Sequence, residues 1–154
     1  MDVRFRKAVG HDLAALQALA RDTIDESYRQ FIADEGVDWY LSGPLDEYLR
    51  RNLGHSIVAM VGDRFVGLAV CKDGLIDFLV IDYCLQRRGL GTALLGHCES
   101  VLFERHDLIR LESFEANAKA NRFYMKNGWT RVRAVSDAMS GGRKWIFERS
   151  ARSA

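Results

Sequence analysis

A glycine-containing loop near the middle of the chain decides the fold, and it reads Gln86-Arg87-Arg88-Gly89-Leu90-Gly91-Thr92. It follows an almost unbroken apolar run, Leu75-Ile76-Asp77-Phe78-Leu79-Val80-Ile81, which predicts a strand buried on both faces. It precedes apolar residues at helical spacing that continue to about His106 and predict a long helix. Amides at a helix start face outward with the positive end of the helix dipole, and glycines allow a ligand to approach closely. The loop therefore predicts a diphosphate site, although an ordinary turn with solvated arginines would contain the same residues.

Two other phosphate-binding motifs fit this loop less well. A P-loop ends in Gly-Lys followed by Ser or Thr, and a dinucleotide fingerprint needs a third glycine where Leu94 stands. The chain carries 22 Lys and Arg against 21 Asp and Glu, so no overall field favours nucleic acid or an anionic membrane. Any anion site must therefore be local.

The composition predicts one soluble globular domain over residues 1–154. The chain is 48% hydrophobic and 28% charged, with Pro44 as its single proline. No run approaches the ~20 apolar residues that span a bilayer, and the first residues lack a signal-peptide core. Three scattered cysteines predict free thiols in a reducing compartment. We therefore expect a cytoplasmic protein without a membrane or nucleic-acid partner.

The remaining periodicities predict the element order βααβββαβαββ. A strand at Val3–Arg6 precedes an amphipathic helix from His11 to about Phe31 and a second helical region from Val37 to Leu53, broken near Ser42-Gly43-Pro44. The later strands are separated by turn signals at Gly62-Asp63, Asp73-Gly74 and Ser140-Gly141-Gly142.

A second informative segment reads Asn117-Ala118-Lys119-Ala120-Asn121-Arg122-Phe123-Tyr124-Met125-Lys126-Asn127-Gly128-Trp129. Asn117 can cap a short helix, and Gly128 can supply the left-handed residue after it. With the glycine loop, this segment resembles the GNAT superfamily of acyl-CoA-dependent N-acyltransferases. The cofactor motif of that family is Gln or Arg, two residues, Gly, one residue, and Gly or Ala. The later helix of the family has Asn, Ala, Phe-Tyr, Lys, Gly and an aromatic residue in the same places.

The resemblance covers nearly the whole chain, from Val3 to Phe147. It implies an α/β (α+β) fold with a mixed, mostly antiparallel, bent central sheet of six to seven strands, flanked by about four helices. One departure is Tyr83, where the family often has proline, and Cys84 and Leu85 then replace the usual polar pair.

The resemblance also implies that acetyl-CoA is the acyl donor and that no metal is needed. In the family, the strand before the glycine loop splays from the next strand, and backbone groups in the slot pair with the pantetheine arm. The amides of residues 87–92 would hold the diphosphate, and Asn117 and Asn121 would line the outer wall. The residues expected to bind the cofactor are Leu79, Val80, Ile81, Gln86, Arg87, Arg88, Gly89, Leu90, Gly91, Thr92, Asn117, Asn121 and Tyr124.

The reaction needs a base, because an amine with an ordinary pKa of ~10.4 is protonated at pH 7 and cannot attack a thioester. Asp77 and Glu112 are the candidates, with Glu115 as a third, acting directly or through water. Each could instead be a solvated or ion-paired strand carboxylate.

Tyr124 stands at the position of the family's general acid, which delivers a proton to the leaving thiolate of CoA. A thiol with a pKa near 8.5 leaves more easily when a phenol protonates it. The alternative role of Tyr124 is that of a packing aromatic.

The acceptor side is the least informative part of the sequence. Tyr28, Trp39 and Tyr40 are the expected substrate-binding residues, because acidic residues near Trp39 could form an aromatic, negatively charged mouth for an amine. A solvated helix end would look the same. The acceptor could be a small-molecule amine or a protein or peptide amine, and a non-catalytic CoA-binding module and a homodimer also remain open.

Overall fold

The chain forms a seven-stranded sheet with the strand order β1-β2-β3-β4-β5-β7-β6. The computed structural model describes residues 2–151. The strands are β1 (Arg4–Lys7), β2 (Ser56–Val61), β3 (Arg64–Lys72), β4 (Leu75–Ile81), β5 (Leu108–Phe114), β6 (Thr130–Ser136) and β7 (Arg143–Ser150). Neighbouring strands are antiparallel except β4 and β5, which are parallel. The predicted mixed, mostly antiparallel sheet is confirmed.

Five α-helices cover the sheet within residues 2–151, one more than the sequence pattern predicted. They are α1 (Leu13–Ser27), α2 (Asp34–Leu41), α3 (Pro44–Arg51), α4 (Leu90–Phe103) and α5 (Ala118–Lys126). The extra helix arises because the predicted break at Pro44 separates α2 from α3 completely. Proline lacks an N–H and fits the first helical position, so Pro44 begins a new helix. The element order is therefore βαααβββαβαββ.

Two hydrophobic clusters lie on the two faces of the sheet. Helix α4 packs on one face, over residues such as Ala69, Leu111 and Phe147. Helices α1, α2 and α3 cover the other face over β2, β3 and β4. The apolar spacing of α4 predicts that Leu90, Leu94, Leu95, Cys98, Val101 and Leu102 are buried, but Val101 is 36% exposed, and Leu102, four residues after Cys98, is buried instead.

The parallel pair in the middle of the sheet is short. Only Leu75 with Arg110 and Ile76 with Leu111 are in register, and beyond them β4 and β5 separate. On its other side β4 stays paired with β3 as far as Ile81. The second half of β4 thus has one edge without a neighbouring strand.

Candidate active site

A cleft of about 660 Å³ opens where β4 and β5 separate. Its walls come from the second half of β4, the end of β5, the glycine loop, α5 and the C-terminal end of α1. This volume lies in the range of small-molecule and cofactor sites, so the cleft is the candidate active site.

The glycine loop presents backbone amides that have no acceptor inside the protein. The first bond of α4 is donated by the amide of Ala93 to the carbonyl of Gly89, at 3.1 Å. Within residues 2–151, no hydrogen bond is donated by the amides of Arg87 to Thr92. Such a row at a helix start is suited to bind an anion.

Left-handed backbone conformations at two residues determine the direction of the chain through this loop. Arg87 has φ 67° and Gly89, the residue before α4, has φ 81°. Only glycine adopts this conformation without strain, so Gly89 is required for the turn itself. Gly91 has a different reason, since a Cβ at this position would lie 3.3 Å from the ring of Phe123 on α5.

The departure at Tyr83 forms a short turn of 3₁₀ helix from Tyr83 to Leu85. The Asp82 carboxylate accepts a hydrogen bond from the amide of Cys84 at 2.9 Å and pairs with Arg64 at 2.9 Å. The side-chain amide of Gln86 donates a hydrogen bond to the backbone carbonyl of Ile81 at 3.2 Å. These contacts close the loop without proline.

Most of the predicted cofactor residues line the cleft. They are Leu79, Val80, Ile81, Gln86, Arg87, Gly89, Gly91, Thr92, Asn117 and Tyr124. Arg88 is exposed outside the cleft. Leu90, the first residue of α4, has its side chain buried in the hydrophobic core.

Asn117 and Asn121 have structural partners of their own. The Asn117 side chain caps α5 by accepting a hydrogen bond from the amide of Ala120 at 3.2 Å, as the sequence predicted. Asn121 is buried and does not line the cleft. Its amide donates to the carbonyls of Phe114 and Glu115 at 3.2 and 3.1 Å, so it fixes the connection between β5 and α5.

Tyr124 faces the cleft from α5, with its ring packed against Phe123 and Phe147 at centroid distances of 5.4 and 5.7 Å. Burial, with a smaller contribution from the nearby Cys98, raises the pKa of Tyr124 to about 12. The phenol therefore keeps its proton across the ordinary pH range, as a proton donor must.

Asp77 lies at an irregularity of β4. Consecutive residues of β3, Val70 and Cys71, pair with Phe78 and Ile76, so that Asp77 has no partner on β3. A bulge of this kind re-aims a side chain. The Asp77 carboxylate lines the cleft and accepts a hydrogen bond from the hydroxyl of Tyr48 on α3. Burial, and then this hydrogen bond, raise the pKa of Tyr48.

The other two carboxylates have cationic partners. Glu112 lines the cleft with Lys144 at 3.8 Å, and the same ammonium group lies 3.6 Å from Asp137. Glu115 does not line the cleft and pairs with Arg143 at 2.7 Å. Asp77 and Glu112 are thus brought together at the cleft, whereas Glu115 is not.

The end of the cleft where the sequence predicted the acceptor, here called the acceptor end, is aromatic. Tyr28 packs against Phe31 and Phe114 at centroid distances of 5.3 and 5.5 Å, and all three line the cleft with Tyr40. Burial raises the pKa of Tyr40 to about 12, with a smaller contribution from the charge of Asp77. The third predicted residue, Trp39, is 60% exposed and does not line the cleft.

The acidic residues near Trp39 are engaged by one arginine. Arg29 pairs with Asp25, Asp34 and Asp38 at 2.8, 2.9 and 2.6 Å. This arrangement is that of a solvated helix end with a compensating cation, and it does not extend the negative charge of the cleft.

The sequence analysis missed the ring of Phe114, which lines the cleft, and two partners of lining residues: Tyr48, which binds Asp77, and Asp137, which pairs with Lys144. The spacing of Tyr48 from the buried residues Leu45 and Leu49 puts it on the inner side of α3, but nothing local indicates Asp77 as its partner. The partners are distant in sequence, and only the sheet brings them together.

The fold and cleft define an α/β protein with a cofactor-sized site, and comparison with known proteins gives the family. Residues 19–129 match the model of the acetyltransferase (GNAT) family. The chain belongs to this family, whose general activity is acetyl transfer.

The chain is also similar to a curated protein and to several solved structures. The uncharacterized protein YxbD of Bacillus subtilis (strain 168) is 28% identical over 116 residues, which cover 75% of this chain and 68% of that protein. A GCN5-related N-acetyltransferase structure from Rhodopseudomonas palustris, also described as an aminotransferase of class II, has a TM-score of 0.83 at 19% identity, covering 97% and 96% of the two chains. The PaiA N-acetyltransferase from Thermoplasma acidophilum, in complex with coenzyme A, has a TM-score of 0.81 at 18% identity, covering 97% and 99%. These structures show that the fold is shared.

Residues 2–151 contain no group of three or more His, Cys, Asp or Glu side chains arranged to hold a metal ion. None of the helices in that range has the length and apolar character to cross a bilayer.

Proposed function

We propose that this chain is an acetyl-CoA-dependent N-acetyltransferase of the cytoplasm that acts on a primary amine of a small molecule by direct attack. The observation that carries the proposal is the row of amides at residues 87–92 without an internal acceptor, beside the unpaired edge of β4. A diphosphate fits the amides, and an extended amide-containing arm fits the edge of the strand. Acetyl-CoA carries both groups and supplies the activated acyl thioester.

Asp77 is the residue that we assign as the base, acting directly or through a water molecule. It lies in the cleft just beyond the last paired residues of β4 and β5, and Tyr48 fixes its carboxylate. Glu112 is the second candidate, but its carboxylate already has the ammonium group of Lys144 at 3.8 Å as a partner.

Tyr124 is the residue that we assign as the acid for the leaving thiolate. Its hydroxyl stays protonated because burial raises the pKa to about 12, and the rings of Phe123 and Phe147 hold the phenol in place. Delivery of this proton would make the sulfur a neutral leaving group.

The packed aromatic side chains at one end of the cleft support a small acceptor. Tyr28, Phe31 and Phe114 pack on one another, and Met139 from the β6–β7 connection lines the same cleft. The acyl donor would share a cleft of about 660 Å³, so the remaining room suits a small amine.

The test is calorimetric titration of the chain with acetyl-CoA, followed by transfer assays against a panel of amines. We expect Gly89→Val to lose binding, because valine is strained at φ 81° and this change distorts the row of amides. Gly10→Ala is the matched control, since nothing lies within 4 Å of a Cβ there and φ is not positive. No binding by the unmodified chain would reject the proposal, whereas binding without transfer to any amine would favour a non-catalytic CoA-binding module.

A further inference from the structure

A second cavity, of about 220 Å³, lies beside the cleft on the sheet face formed by β5, β7 and β6. It is lined by Leu75, Arg110, Glu112, Arg133 and Ile146. Glu112 lines both this cavity and the cleft, so the two spaces are adjacent at this residue. A single small ligand could therefore occupy both.

The register of the strands places the polar residues of this cavity on one face. Arg110 and Glu112 are two residues apart on β5 and so point to the same side, while Ile109 and Leu111 are buried on the other. Ile146 on β7 is opposite Glu112, and Arg133 on β6 is in turn opposite Ile146.

A bulge in β6 brings Arg133 to this face. Arg131 pairs with Phe147 and Arg133 pairs with Ile146, which leaves Val132 as an extra residue. In a regular strand Arg131 and Arg133 would share a face, but the extra residue turns them to opposite faces. Arg131 accordingly stacks on Trp145, at 4.3 Å from its ring centroid, and Arg133 lines the cavity.

Neither arginine of the cavity has a partner. Within residues 2–151, the guanidinium groups of Arg110 and Arg133 make no ion pair, side-chain hydrogen bond or ring contact. Glu148 is opposite Arg110 in the register but is not within ion-pair distance, and Glu112 already has Lys144 at 3.8 Å. Two guanidinium groups are thus available around an apolar floor of Leu75 and Ile146.

We propose that Arg110 and Arg133 bind a carboxylate of the acceptor, so that the acceptor is a small amino acid with its amine near Asp77 and Glu112. This inference rests on the proposed acetyltransferase function. Guanidinium groups hold a carboxylate with paired, charge-assisted hydrogen bonds. Residues two apart on a strand are separated by about 7 Å, so a short chain can link an amine beside Glu112 to a carboxylate beside Arg110.

The experiment compares acceptors that differ only in the anionic group. The series runs from glycine through β-alanine and 4-aminobutyrate to 6-aminohexanoate, each with its carboxamide and with the alkylamine of the same length. We expect kcat/KM for the preferred amino acid to exceed that of its amide by about ten- to a hundredfold. The amide of a short amino acid loses its ammonium proton more readily, so a preference for the acid cannot arise from amine ionisation. Phosphoethanolamine is included, and its use in place of β-alanine would overturn the carboxylate assignment.

Variants then locate the preference. Arg133→Gln and Arg110→Gln are each expected to abolish the gap between acid and amide while the affinity for acetyl-CoA stays unchanged. Arg105→Gln, an exposed arginine just after α4, is the charge-matched control that keeps the gap. Equal turnover of acid and amide, or a gap that survives in both variants, would overturn the proposal.

Direct binding separates this inference from the proposed function. Saturation-transfer NMR with the same amino acids reports binding without turnover, and the signal is expected to vanish in Arg133→Gln. If acetyl-CoA binds but no amino acid binds or is acetylated, the subsite is rejected and the cofactor assignment stands. If acetyl-CoA does not bind, the acetyltransferase proposal is rejected, and the NMR signal still decides whether the arginines bind a carboxylate.

Discussion

The two ends of the cleft are built in different ways. At the donor end, the glycine loop offers backbone amides positioned by two left-handed residues, Arg87 and Gly89. At the acceptor end, side chains from distant segments meet, as Tyr48 does with Asp77 and Lys144 with Glu112. A backbone site tolerates change in most side chains, whereas a side-chain site changes with single substitutions. Of the two ends of the cleft, the glycine loop is therefore expected to tolerate side-chain substitutions, and the opposite end is expected to be sensitive to them.

The largest expected effect is that of Tyr124→Phe, which should change catalysis without changing the binding of acetyl-CoA. The ring contacts with Phe123 and Phe147 remain, so affinity for acetyl-CoA should change less than about threefold, while loss of the proton donor should lower kcat by about a hundredfold. Steady-state kinetics and calorimetry measure the two quantities, and thermal unfolding confirms the fold. An unchanged kcat would remove Tyr124 from the chemistry.

A smaller effect is expected from Tyr48→Phe, which removes a hydrogen bond to Asp77 at the acceptor end. We expect kcat/KM to fall by about tenfold. The loss arises because the Asp77 carboxylate is no longer held by this hydrogen bond, so the affinity for acetyl-CoA should stay unchanged.

Comparison with two further variants identifies the base. Asp77→Asn should lower kcat/KM by more than about tenfold, and adding Tyr48→Phe to it should cause no further loss, whereas Glu112→Gln should change kcat/KM little. A large loss in Glu112→Gln and a small one in Asp77→Asn would assign the base to Glu112. Additive losses in the double variant would show that Tyr48 does not act through Asp77.

The smallest effect concerns an ion pair at the start of α1, the helix whose C-terminal end lines the cleft. Asp12 precedes α1, is buried, and accepts hydrogen bonds from Arg6 at 2.8 Å and from the amide of Val9 at 2.8 Å. The hydrogen bond from Arg6 is the main cause that lowers the pKa of Asp12 to about 2, below the ordinary ~3.9. The folded state therefore gains stability above about pH 4 and loses it as the pH falls towards 2, by on the order of 1–2 kcal/mol.

Denaturant unfolding between pH 2 and 6 measures this loss. Asp12→Asn should flatten the pH dependence, whereas Asp22→Asn, on the exposed side of α1, should retain it. The same slope in both variants would show that other carboxylates control acid unfolding.

The sequence predicted the backbone geometry of the glycine loop and of the nearby cap and turn well, because that information is local. The loop at residues 86–92, the cap at Asn117 and the turn at Asp73-Gly74 each depend on neighbouring residues, and their geometry is as expected. Pro44 likewise marked the break between α2 and α3.

The acceptor end could not be predicted in the same way. Trp39 was expected to bind substrate because acidic residues surround it, but Arg29, just after α1, pairs with Asp34 and Asp38, and the indole lies outside the cleft. Asn121 shares a helix face with Tyr124, but its side-chain amide donates hydrogen bonds to the carbonyls of Phe114 and Glu115 and does not line the cleft. Only tertiary packing decides such partners. The role of each residue in catalysis stays a prediction until the variants are measured.

The short parallel pairing between β4 and β5 also bears on how the protein assembles. Strands β2, β3 and β4 follow one another antiparallel through short turns, and β6 and β7 pair across another turn, so each of these two units forms from contacts close in sequence. The pairing of Leu75 with Arg110 and of Ile76 with Leu111 instead joins segments on either side of α4. Loop-closure entropy makes such non-local pairing slower than the formation of a hairpin. The cleft is therefore expected to form after these two units, so a nascent chain has part of its sheet before it can bind a donor.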